Sequence, residues 1–274
     1  MPIYEPNRQL KLGIKIWGEM FQELKDSREL IVRLFLRDLS AKYKQAVFGN
    51  LWQLIMPFVA IGTFMYLNRA GVINIGHTDL PYPLFALIGL SVWQLFSSGI
   101  NAGCQSLVNA GDMIAKVNFP RESLVFSSMA QAVFEFIVKI FMIIFLFVFY
   151  RYLPPWQIIF FPLAVLPIMV LAVGLSLILS LVNGILRDTA NLINLLTTFL
   201  MFLTPVLYPL TNKNFLLFKL NPLSALVSAP RDLIMYGRIT QPLDFCLAAV
   251  VSFLSFFIFW RVFHIMETKI PEKI

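Results

Sequence analysis

The chain has 274 residues, of which 58% are hydrophobic and 14% charged, with a mean hydropathy of +0.76 and a net charge of +7. That balance lies far outside the range of soluble globular domains and describes an integral membrane protein. In such a chain the positive surplus sets orientation in a bilayer and is no sign of nucleic acid.

Residues 1–47 carry no apolar core of the secretory-signal type and read as an amphipathic cytoplasmic segment. Trp17, Met20, Phe21 and Leu24 fall at helical spacing opposite Lys15, Glu19, Glu23 and Lys25. A second helix is expected from Asp26 or Ser27, with Asp26 and Glu29 at capping-box spacing and Leu30, Ile31, Leu34, Phe35 and Leu39 on one side. Helices of this kind lie in the headgroup plane, apolar face in lipid and basic face toward phosphates. Arg33, Arg37, Lys42 and Lys44 are therefore candidates to hold an anionic lipid headgroup.

Residues 48–274 read as one membrane domain with an all-α fold of six spans. Crossing a hydrocarbon layer of about 30 Å takes roughly 20 helical residues. The spans are expected at Phe48 to Leu67, Pro83 to Cys104, Leu124 to Tyr150, Ile158 to Leu186, Ala190 to Leu210 and Pro242 to Phe263. Their continuous apolar runs exclude the period-two alternation of a barrel. Between spans two and three, Leu107 to Phe119 forms a polar break with helical periodicity, closed by Phe119-Pro120-Arg121. It is expected to be a short helix that receives force from a partner.

The third span carries Glu135 and Lys139 at i, i+4, which reads either as a packing pair or as a contact along an aqueous path. Gly99 and Gly103 form a small-xxx-small pair that lets a second helix approach. The two cysteines read as packing residues. His77 and His264 fall near opposite membrane ends, so no metal centre is expected, and no catalytic residue is assigned. With no Gly-Lys dipeptide the chain lacks a phosphate-cradling loop, so it is not expected to hydrolyse ATP.

The stretch Thr211 to Gln241 is partly apolar but broken by Pro222 and Pro230 into pieces too short to span, which suits re-entrant or gate helices. Tyr208 and Phe215 are the candidates to narrow an opening there. Nine of the 22 basic residues lie in the first 47, which favours both termini in the cytoplasm.

Arg37-Asp38-Leu39, Tyr43-Lys44-Gln45, Gly49, Trp52 and Pro57 resemble the pattern leading into the first span of ABC-2 type permeases. The subfamily is the exporters of lipid-linked surface polysaccharides: O-antigen, teichoic acid and capsule. Lys116 to Arg121, Phe202 to Pro209, and Asn221-Pro222 followed by Arg231 match in order. Lys42 stands where the pattern has Arg, keeping the charge but not the forked donor. The resemblance implies a homodimeric permease of a bacterial inner or plasma membrane, docked on two copies of an ATPase subunit that binds ATP and Mg. Its coupling helix corresponds to the polar break, with Asp112, Met113, Lys116, Phe119 and Arg121 facing the ATPase. An ABC-2 exporter of a drug or simple lipid is the alternative, and an ion-coupled transporter a more distant one.

Overall fold

In a computed structural model the described residues are 15–44, 51–71, 80–117, 119–209 and 221–267, and among them the regular structure is entirely helical. Helices α1 (Lys15–Asp26) and α2 (Arg28–Lys44) precede α3 (Leu51–Arg69), α4 (Tyr82–Asn109), the short α5 (Gly111–Lys116) and α6 (Glu122–Phe149). A 3₁₀ turn (Trp156–Phe160) leads into α7 (Phe161–Ile185), followed by α8 (Thr189–Leu203), α9 (Pro222–Tyr236) and α10 (Pro242–Met266). Apolar helices thus stand at all six expected spans. The four formed by α4, α6, the 3₁₀ turn with α7, and α10 are long and apolar enough to cross a membrane.

The bundle is built around α4, which packs against α6 and α7 and also meets α3, α8 and α9. Its two glycines serve different neighbours. A Cβ on Gly99 would meet the Met129 sulfur of α6, and one on Gly103 would strike Ser176 of α7. Close approach lets Ser176 Oγ donate to Gly99 O at 3.2 Å and Asn183 Nδ2 to Cys104 O at 3.1 Å. Helix α4 outruns its expected end at Cys104 because its polar tail bonds back to its own carbonyls. Ser106 Oγ donates to Gly103 O at 2.7 Å, so polarity does not stop the helix.

Three expectations about helix ends are corrected. The fifth span stops at Leu203 rather than Leu210, since Thr204 takes an extended conformation (φ −110°, ψ 137°) ahead of Pro205. Pro230 does not divide the outer stretch, because α9 runs through it. All residues from Leu223 to Ile234 are buried, and burial on every side outweighs the roughly 3 kcal/mol a helix-interior proline costs. The capping box at the start of α2 does not form: Asp26 accepts from Gln22 at 3.1 Å, and Glu29 pairs with Arg33 at 2.6 Å.

The amphipathic helices also pack differently from expectation. Much of their apolar face meets protein instead of lipid. Met20 and Leu34 are buried, Trp17 and Phe21 set their rings edge-on to Trp260 of α10, and Phe35 meets Phe134 of α6. Val32 and Leu36 remain exposed on the outward side of α2.

Candidate functional site

The polar break resolves into two pieces. Leu107, fully buried, belongs to the end of α4, and the separate helix is only Gly111–Lys116. Ala110, at φ −105° and ψ 13°, turns the chain between them, and Val117 (φ −131°, ψ 132°) ends α5 in extended backbone. Asp112 and Lys116 are exposed, whereas Met113 is half-buried against the core. Phe119 is buried and anchors the segment from inside. Arg121 faces inward as well, its guanidinium donating to the main-chain oxygen of Glu267. Of the five residues expected to face a partner, Asp112 and Lys116 are the two on the surface.

Helix α2 lies along this region. Arg33 is occupied by Glu29, and Arg37 by Asp38 at 2.7 Å. A guanidinium nitrogen of Arg37 also sits 3.6 Å from the Met113 sulfur, linking α2 to α5. Lys42 Nζ reaches Glu135 Oε1 of α6 at 2.6 Å. The pair expected within α6 is therefore a set of three: Glu135 bonds Lys42, and its charge also acts on the buried Lys139. The side chain of Lys44 and all of Phe215 lie outside the described residues.

One group of residues at the α5 end escaped sequence reasoning. Glu122 opens α6 almost wholly buried, its two oxygens taken by Trp260 Nε1 at 2.7 Å and His264 Nδ1 at 2.9 Å. Glu267, also buried, places Oε1 3.8 Å from His264 Nδ1 and accepts from the Arg121 backbone N–H at 3.3 Å. The ligand-type atoms of Glu122, His264 and Glu267 lie within 4.8 Å of one another, so His264 clusters with two carboxylates. The usable signal was Trp260, His264 and Glu267 at i, i+4, i+7, one face of a helix. Both Glu122 oxygens are already bonded, so the arrangement is a closed clamp. Glu23 of α1 lies within its field: burial raises its carboxyl above the usual range, opposed by His264 and reinforced by Glu122.

At the opposite end, backbone freed by prolines is held by a second polar cluster. Asn221 caps α9 by accepting from Leu223 N at 3.0 Å, and its amide donates to Thr204 Oγ1 at 3.1 Å. Arg231, 3% exposed, donates to Pro205 O at 2.9 Å and stacks its guanidinium 4.1 Å from the Phe85 ring centre. Tyr82 Oη reaches Leu207 O at 3.0 Å, and Tyr208 Oη donates to Phe202 O at 2.7 Å. Gly89 of α4 is where this loop comes closest, for a Cβ there would collide with Val206 O. The segment from Thr204 to Leu207 is buried in protein, as irregular backbone at membrane depth must be.

Residues 29–235 match the model of the ABC-2 type transporter family. The chain is 28% identical over 264 residues to an O-antigen export system permease protein, RfbA, of Myxococcus xanthus, covering 92% of this chain and 97% of that one. A Klebsiella pneumoniae RfbA is 28% identical, covering 76% of this chain and 81% of its own. The polysialic acid transport protein KpsM of Escherichia coli is 22% identical, covering 85% and 92%. A short helix between two long spans, a bundle of apolar helices and a family match across three quarters of the chain converge: this protein belongs to the ABC-2 type transporter family of multi-pass membrane permeases.

Proposed function

We propose that the chain is the permease subunit of an ATP-driven exporter that moves a lipid-linked surface polysaccharide, of O-antigen or capsule type, from the cytoplasmic to the outer side of a bacterial plasma membrane. The observation that carries this reading is the similarity along nearly the whole chain to permeases named for O-antigen export. Two copies of the chain enclose the path, and two ATPase subunits dock at the α5 end and supply ATP and Mg chemistry. Both termini then face the cytoplasm, in accord with the nine basic residues of the N-terminal segment.

Asp112 and Lys116 are the contact points for the ATPase, being exposed on a short helix anchored by half-buried Met113 and followed by buried Phe119. Arg33, Arg37, Lys42 and Lys44 are the residues where an anionic headgroup loads. Lys42 is already paired with Glu135, so a phosphate arriving there exchanges partners with a carboxylate of α6. The Thr204–Arg231 region is the outer gate, with Tyr208 at its margin.

The test is to replace Asp112 and Lys116 together by alanine in the native host. Loss of ATPase copurification, or hydrolysis that continues without surface polysaccharide, is the expected outcome. Normal assembly with normal export would overturn the reading of α5.

A further inference from the structure

The two residues that follow Pro120 are gripped on every side, whereas the other end of α5 is not. Ala110 joins α4 to α5 through local backbone bonds to Leu107 and Val108 and no side-chain cap. Arg121 and Glu122 instead engage residues about 140 positions away: the Arg121 main chain and guanidinium on Glu267, the Glu122 carboxylate on Trp260 and His264. Glu122, His264 and Glu267 are each 2–3% exposed, so water cannot stand in for a lost partner. A carboxylate held this way does not slide. It moves with its partners, or the bonds break together at the cost of a stranded buried charge.

A third element rests on the same point. Trp260 carries the rings of Trp17 at 6.3 Å and Phe21 at 4.8 Å between centres, and the Glu23 carboxyl senses both His264 and Glu122. The start of α6, the last turns of α10 and the inner face of α1 are therefore one packed body, which α6 also sets against α4, while α5 itself joins α4 only through the turn at Ala110.

We propose that the Glu122–Trp260–His264–Glu267 clamp is the joint that carries displacement of α5 into α10 and α1, with Glu122 and His264 as positioning residues for export. This rests on α5 being the ATPase contact. A push on Asp112 and Lys116 bends the chain at Ala110 and is delivered, through Arg121 and Glu122, to the last span and the amphipathic helix together. The clamp gives both elements a common connection to the motor through contiguous packing and hydrogen bonds, the kind of network along which coupling travels.

The test uses the complete exporter in the native host. Hydrolysis is read as phosphate release from inverted membrane vesicles, export as periodate-labelled carbohydrate on intact cells, and assembly as ATPase copurification. Glu122→Gln is expected to assemble but to raise hydrolysis per unit export at least about fivefold, the lower end of coupling between linked sites. Adding His264→Gln is expected to change that ratio little further, because both residues act through one joint. Should Glu122→Gln fail to accumulate, Trp260→Phe decides by the same ratio, since it removes one N–H donor and keeps an aromatic ring against α1. A wild-type ratio in the variants that assemble, while the Asp112/Lys116 variant is uncoupled, overturns the clamp alone. Normal coupling in the Asp112/Lys116 variant overturns the reading of α5 on which it rests.

Discussion

The two ends of the bundle solve the same difficulty with different chemistry. Each must secure interrupted backbone against long helices without leaving polar groups bare. At the end opposite α5 the lock is a buried cation, Arg231 on the Pro205 carbonyl and the Phe85 ring, tightened by a glycine that admits the loop. At the α5 end it is a set of carboxylates around one imidazole and one arginine. A guanidinium keeps its charge at any physiological pH, whereas an imidazole does not. One lock is fixed by shape and permanent charge. The other is held by groups whose charge depends on their surroundings.

The sharpest way to break this comparison is Arg231→Leu. It removes a charged hydrogen bond of about 1.5–3 kcal/mol and a desolvated cation–π contact of about 2 kcal/mol, so a loss of about 3.5–5 kcal/mol is expected. Arg231→Lys, which keeps charge without the planar fork, should fall between the two. Thermal unfolding of the detergent-purified permease measures both, and an unchanged melting temperature for the leucine variant would mean that the Arg231 lock holds nothing.

A smaller effect is expected from Gly89→Ala. The added methyl meets the main-chain oxygen of Val206, which has no rotamer to retreat into, and overpacking of this kind costs about 1–3 kcal/mol. Gly62 of α3 is the internal control, with nothing near its would-be Cβ. There the same change should be neutral or should stabilise by about 0.5–1 kcal/mol through helix propensity. Equal effects at the two glycines would show that the close approach to α4 is not what holds the loop.

The smallest effect belongs to the α5 end and sharpens its titratable character. Burial raises the Glu23 carboxyl above its ordinary value of 4.5, so the folded protein holds that proton to higher pH than the unfolded chain does. The folded state binds more protons in that window, and docking of α1 should weaken as pH rises through it. Trp17 and Trp260, in ring contact, report the docking by fluorescence. Glu23→Gln should remove its share of the pH dependence. A titration identical to wild type would dismiss Glu23 as a contributor.

Much of this architecture is legible in the sequence because bilayer crossing leaves long apolar runs, and prolines such as Pro205 mark where those runs fail. Local rules misplace Pro230, since its helix is decided by what packs around it, and overextend the fifth span, since Pro205 acts on the residue before it. The α5 end divides the same way. Asp112 and Lys116 stand out locally, but Glu122 joins His264 only through folding, across 142 positions. No periodicity within α6 announces that partner. The face formed by Trp260, His264 and Glu267 was visible, yet its meaning depended on the carboxylate it meets.

The central helix has a consequence for how the protein is made. Among the four long spans, α4 is the least hydrophobic and the most enclosed, with Ser91, Gln94, Ser97, Ser98, Asn101 and Gln105 along its length. During synthesis it leaves the ribosome before α6 and α7, the helices that later cover it. For that interval its polar side chains lack the neighbours that later cover them, so the fate of this one helix depends on the arrival of the next two spans.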